Sequence, residues 1–181
     1  MSTTTGYVAT EARAATTRRQ WVALGVLALT ALLLSLDVSV LYLALPELSA
    51  DLGASTTQQL WMLDIYSFVL AGFLVTMGAV GDRVGRKRLL LCGAVAFGIA
   101  SVAAAYATSP AQLIGWRAVL GIAGATLMPS TMGLIRTIFR DEKTMMTAIG
   151  IWYACFMGGM AVGPLVGGVL LEHFWWGSAF L

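Results

Sequence analysis

Five stretches of this chain, roughly 21–45, 58–81, 88–107, 110–136 and 145–171, are long and apolar enough to cross a bilayer, which takes about 20 helical residues. In lipid every backbone N–H and C=O must find its partner inside the protein, so each stretch is expected as an α-helix. Composition agrees. Hydrophobic residues make up 59% of the chain, charged residues 11%, and mean hydropathy is +0.83, whereas soluble domains carry about 25% charged residues. That leaves too little polar surface to cover a water-soluble globule. The expected fold class is an all-α membrane protein with five complete transmembrane helices and the start of a sixth near Ser178. Residues 1–20, polar and rich in Thr and Ala, are expected as a disordered cytoplasmic tail, and 21–181 as a partial transmembrane bundle. The apolar run after Trp21 is too long for a signal peptide and lacks a small-residue cleavage site, so it is expected as a retained helix.

Helix boundaries follow from local chemistry. Pro46 is expected to end the first span. Ser55 with Gln58, or Thr56 with Gln59, gives a capping pattern for the second. Ser109 does the same for the fourth, with Pro110 at the favoured first helical position. Asp141 and Glu142 suit the positive N-terminal end of the fifth.

Charge distribution orients the bundle. Arg13, Arg18 and Arg19 precede the first span, Arg83, Arg86, Lys87 and Arg88 separate the second and third, and Arg136, Arg140 and Lys143 surround the fourth connection. The alternate connections hold no Lys or Arg, so ten of the eleven basic residues share one side. This predicts a multi-pass protein with its N-terminus in the cytoplasm. The net charge of +2 gives no reason to expect a nucleic-acid partner.

Three charges lie inside spans: Asp37, Asp64 and Arg117. An ionised group at mid-helix costs roughly 2.5–3.5 kcal/mol on insertion scales and normally faces a bundle interior or wet cavity. At ~1.5 Å rise per residue both acids fall roughly 9–12 Å below the outer face, and they are expected to line one cavity. Each acid is either a packing hydrogen-bonder or a functional group that exchanges a proton or attracts a lipophilic cation. Arg117 does not readily deprotonate and is a counter-ion, an organiser of polar groups, or a structural tie.

Gly159, Gly163 and Gly167 recur every four residues in the fifth span, with Pro164 among them. Such a ridge permits close helix contact, and the proline favours a bend; a packing seam and a gating helix are both open readings. Cys92 and Cys155 read as small buried hydrophobes rather than disulfide partners. His173 has no partners at metal-ligand spacing, so no metal is expected. Trp116, Trp152 and Tyr153 either line a drug-binding cavity or pack between helices. The absence of a nucleophile–base pair or phosphate-binding motif argues against an enzyme.

Several segments together carry a family resemblance. GAVGDRVGRKRLL at 78–90 resembles the signature loop between helices two and three of the major facilitator superfamily. LDVSVLYLALP at 36–46, QLWMLDIYSFVLAG at 59–72, GWRAVLGIAG at 115–124 and GMAVGPLVGG at 159–168 resemble motifs of its fourteen-helix drug:proton antiporter branch, which includes quaternary-ammonium and dye exporters. The closing HFWWGSAFL resembles the entry to a sixth helix. The resemblance implies the N-terminal bundle of a transporter that exports hydrophobic, often cationic drugs across the bacterial plasma membrane, driven by a proton gradient without any cofactor. By the same resemblance Asp37, Asp64 and Arg117 serve proton coupling or substrate binding. Gly78, Asp82, Arg83, Gly85, Arg86 and Lys87 belong to a cytoplasmic latch loop, and Gly159, Gly163, Pro164 and Gly167 to the antiporter-motif helix. A full member has about twelve or fourteen spans in two moving bundles. The C-terminal transmembrane half is therefore expected elsewhere, this sequence being a partial one. The alternative is a non-transporting truncated membrane protein or assembly partner.

Overall fold

The computed structural model describes residues 17–180, which form five long helices and a terminal 3-10 turn. They are α1 (Arg18–Leu52), α2 (Thr56–Val84), α3 (Arg86–Ala105), α4 (Pro110–Ile138), α5 (Glu142–His173) and the turn Trp176–Phe180. All five helices are long and apolar enough to cross a membrane. Residues 1–16 of the expected tail, Arg13 among them, lie outside the described residues, whereas Arg18–Gln20 already belong to α1. The sixth helix expected near Ser178 is represented only by the 3-10 turn.

The caps follow the local chemistry. Ser55 Oγ accepts from the Gln58 N–H at 3.4 Å while Gln58 Oε1 accepts from the Ser55 N–H at 3.0 Å, a reciprocal box that starts α2. Ser109 Oγ accepts from the Gln112 N–H at α4, and Asp141 Oδ2 from the Thr144 N–H at α5.

Pro46 corrects the sequence-based boundary: it lies inside α1, which continues to Leu52. A proline removes one backbone hydrogen bond, a loss that neighbouring groups can offset in membrane helices. Here the turns beyond it are held by burial of Leu48 and Ser49. Gly53, at φ +64°, is what ends the helix, because the left-handed conformation suits glycine.

In the packing, α1 lies along α5, α2 along α4, and α3 on the other side of α4. Helix α4 is the most enclosed, with 61% of its most apolar window buried. Its small residues make this possible: a Cβ on Gly121 would stand 2.7 Å from the Tyr66 carbonyl oxygen, and one on Gly93 of α3 would overlap Thr126. One end is tied by Gln20 Nε2 donating to the Ile138 carbonyl at 2.8 Å and by the Trp21 and Phe139 rings. At the other, Trp176 Nε1 donates to Asp51 Oδ2 at 2.7 Å. The basic residues of the α1 start, the α2–α3 turn and the α4–α5 turn share the first end. Trp152 is buried against Phe156 and Tyr153, favouring packing over cavity lining. Contrary to the expected burial, Cys92 is exposed on the surface of α3, and Cys155 is half-buried.

Candidate functional site

Arg117 is the largest side chain with under 2% exposure, and it is enclosed at the meeting of α1, α2 and α4. Its Nη1 donates to Asp37 Oδ2 at 2.7 Å, with the carboxylate side chain 7% exposed. Its Nε donates to the Met62 carbonyl at 3.3 Å, and its guanidinium carbon stands 4.5 Å from the centre of the Tyr66 ring. A carboxylate, a backbone carbonyl and an aromatic face thus surround one cation in a low-dielectric interior, where charge-assisted bonds are strong and unpaired charges costly.

Helical periodicity explains the convergence. Arg117, Gly121 and Gly124 follow i, i+4, i+7 spacing and share one face of α4. The two glycines let α2 approach, and Tyr66 Oη would stand 3.0 Å from a Cβ on Gly124. Met62 and Tyr66, four apart, face α4 together. Tyr66 was not among the sequence-derived candidates; the i, i+4 pairing of Met62 and Tyr66 against the glycine-spaced face of Arg117 is the signal that points to it.

Asp37 and Asp64 are at a common level, since Arg117 links Asp37 to residues 62 and 66, which bracket Asp64. Their directions differ, and the shared cavity expected from sequence is not formed. Residues 64 and 66 are separated by about 200° around the helix. Tyr66 faces inward, so Asp64 is exposed on the outer face of α2 and makes no hydrogen bond or ion pair among the described residues.

The basic turn is compact. Gly85, at φ +104°, is the single residue between α2 and α3, and Gly78 lies against Pro129 of α4. Arg86 pairs with Asp82 at 2.7 Å and donates through Nη1 to the Pro129 carbonyl at 3.2 Å. Its guanidinium crosses Gly133, where any Cβ would overlap it. Arg83 and Lys87 are exposed. A recess of about 490 Å³ lies between this turn and Leu134 and Thr137 of α4.

The fifth-helix ridge is a seam against α1. Gly159 meets Ser35 and the Leu32 carbonyl, Gly163 meets Ser39, and Gly167 meets Val40. Pro164 is exposed within a continuous α5. Its missing N–H would have served the Met160 carbonyl, and Ser39 Oγ donates to that carbonyl at 2.9 Å instead. Helix α1 therefore turns Ser35 and Ser39 toward α5 and Asp37 toward Arg117. Among the described residues no His, Cys, Asp and Glu cluster has metal-binding geometry.

Five helices long and apolar enough to cross a membrane, two of them joined by a buried ion pair, define a multi-pass helical bundle of the membrane-protein class. Residues 27–181 match the Major Facilitator Superfamily model, and the chain belongs to that family. It is 55% identical over 166 residues to the multidrug efflux pump LfrA of Mycolicibacterium smegmatis, covering 92% of this chain and 33% of that protein. It is 48% identical over 163 residues to the methyl viologen resistance protein SmvA of Salmonella typhimurium, covering 90% and 33%. The chain thus spans about a third of the length of these relatives. A bacterial homologue of the human lysosomal transporter Spinster, in an inward-facing unoccupied conformation, has a similar fold. Its TM-score is 0.75 at 23% identity, over 85% of this chain and 32% of that one.

Proposed function

We propose that this chain is the N-terminal bundle of a proton-coupled exporter of hydrophobic, mainly cationic drugs in the bacterial plasma membrane. Its N-terminus is cytoplasmic, as the one-sided basic residues favour. The proton gradient is the energy source, with no cofactor. The remaining helices come from the part of the relatives' length that this chain does not span. The observation that carries the reading is the buried Asp37–Arg117 pair closed by Tyr66. A proton arriving on Asp37 removes its negative charge while Arg117 keeps its positive one, so the guanidinium loses its strongest partner. The interhelical tie between α1 and α4 then weakens, and proton binding is linked to bundle geometry. Support for the cargo comes from relatives named for multidrug efflux and for resistance to methyl viologen, a flat organic dication. The turn at Gly78–Arg88 acts as a cytoplasmic latch. Arg86 fastens it to α4, while the exposed Arg83 and Lys87 meet the opposing half. Gly163 and Pro164 belong to the antiporter-motif helix α5, where a proline lowers the cost of bending.

The test is efflux of methyl viologen from cells carrying the complete exporter, with and without a protonophore. Asp37→Asn is expected to reduce gradient-driven efflux at least tenfold, since removing a proton-exchanging group forfeits about 10²-fold or more. Wild-type efflux by that variant, or efflux indifferent to the protonophore, would refute proton coupling through Asp37.

A further inference from the structure

The end of the bundle opposite the basic turns is closed by a short element outside both the ion pair and the latch, the 3-10 turn Trp176–Phe180. It lodges among α1, α3 and α5. Three contacts fasten it. Trp176 Nε1 donates at 2.7 Å to the carboxylate of Asp51, in the stretch of α1 beyond Pro46. Ser101 Oγ of α3 donates to the Phe180 carbonyl at 2.6 Å. Gly177 lies so close to α3 that a Cβ would stand 2.5 Å from the Ala105 carbonyl oxygen. The turn is nonetheless not fully satisfied. Ser178 Oγ is buried with no hydrogen-bond partner among the described residues, a condition that permanently closed cores normally avoid.

The turn stands over the ion pair. Trp176 and Phe180 are 6% and 7% exposed, and they share one continuous apolar cluster with Leu48, Met62, Tyr66 and Leu113. Leu113 precedes Arg117 by one helical turn, about 6 Å along α4. The Met62 carbonyl accepts from Arg117 Nε, and Arg117 holds Asp37. Water that passed the turn would therefore have one apolar layer left to cross before the guanidinium. A proton site open to both solutions at once dissipates the gradient, so this end must stay dry whenever the complete exporter opens to the cytoplasm.

We propose that the turn Trp176–Phe180, clasped by Asp51, is a proton seal: it keeps outer water from reaching Asp37 through the end of the bundle. The inference rests on the proton-coupled reading for its role and adds the means by which leakage is prevented. Asp51 is a positioning residue that holds the indole in place and carries no proton in the cycle. A turn that merely packed would alter stability and leave proton entry unchanged.

The experiment follows proton entry into proteoliposomes holding the complete exporter, under an imposed pH gradient and without drug. Amide exchange at residues 176–180 is measured in parallel. Trp176→Phe keeps an aromatic plug and removes the donor. A hydrogen bond to a charged group biases a two-state equilibrium by about tenfold or more, and exchange at the turn and drug-free proton entry should both rise by that factor. Asp51→Leu should match it, and the two substitutions together should exceed neither, because they break one bond. Asp51→Asn retains an acceptor oxygen and should stay tight. Gly177→Ala, driven off the Ala105 carbonyl, should leak most. Adding Asp37→Asn and Arg117→Gln to Trp176→Phe should return proton entry to the wild-type level, which a generally porous bundle would not do. Faster exchange at the turn with unchanged proton entry overturns the proposal, as does leakage that survives the loss of Asp37. Unchanged exchange in both Trp176→Phe and Asp51→Leu overturns it as well. Should the Gly177 variant misassemble, the phenylalanine and leucine variants decide alone. Leakage through Asp37 in these variants, with a wild type that moves no protons when given methyl viologen, would count against proton-coupled export and leave the seal standing. Coupled export with tight variants would do the reverse.

Discussion

The glycine ridge of α5 separates two physical roles, close packing and flexibility, because its members meet different obstacles on α1. A Cβ at Gly159 would overlap Ser35 Oγ and stand 2.8 Å from the Leu32 carbonyl oxygen. The serine can rotate; the backbone oxygen cannot. Gly159→Ala should therefore force the helices apart and cost about 3 kcal/mol, the upper part of the overpacking range. At Gly163 the obstruction is the Ser39 side chain. Gly163→Ala should cost about 2 kcal/mol, some of it recovered by adding Ser39→Gly. Recovery stays incomplete because Ser39 also serves the Met160 carbonyl that Pro164 leaves unpaired, and such bonds in membranes average about 0.6 kcal/mol. At Gly167 the nearest atom is Val40 Cγ1 at 3.1 Å, a side-chain methyl that can yield, so alanine there should cost under about 1 kcal/mol. Gly158 has nothing within 4 Å. Alanine at that position should be neutral or stabilising by about 0.5–1 kcal/mol. The assay is reversible unfolding in mixed micelles, scored as midpoint shifts, with efflux measured in parallel. The order 159, 163, 167, 158 from worst to mildest is the signature of a packing seam. If Gly158→Ala impairs efflux as much as Gly159→Ala while neither alters stability, the packing argument fails and backbone freedom is what the glycines provide.

Two further outcomes follow from the charged contacts. Asp37→Asn leaves a guanidinium at 1% exposure with the Met62 carbonyl and the Tyr66 ring as its remaining partners. That should destabilise by about 3–5 kcal/mol, whereas Asp37→Asn with Arg117→Gln, which removes both charges, should recover most of the loss; equal unfolding midpoints for the single and double variants would contradict a paired burial. Gly133→Ala should evict Arg86 from the Pro129 carbonyl and raise amide exchange across residues 81–88 without unfolding the bundle. Its effect on efflux should not add to that of Arg86→Ala, and additive losses would show that the two residues act separately.

What the sequence made legible, and what it hid, divides along helical geometry. Spans, caps and the one-sided basic residues depend on local composition, and they reappear within a few residues in the helices. Pro46 reads as a stop in the sequence, yet α1 continues past it because Leu48 and Ser49 are buried by tertiary packing that no window of α1 reveals. The charged residues are the more instructive case. Depth is a one-dimensional quantity, and counting residues placed Asp37 and Asp64 at one level, where Arg117 now links their neighbours. Direction is angular, and it needs a known inward face. Once Met62 and Tyr66 are seen against Gly121 and Gly124, the 200° between residues 64 and 66 turns Asp64 outward by necessity. The same half-turn rule sends Ser35 and Ser39 to α5 and Asp37 to Arg117. A single inserted residue between Asp37 and Ser39 would rotate one set by about 100° relative to the other. The glycine seam and the ion pair could not then both be satisfied, so the spacing of these three side chains couples the packing of α1 on α5 to the ion pair that joins α1 to α4.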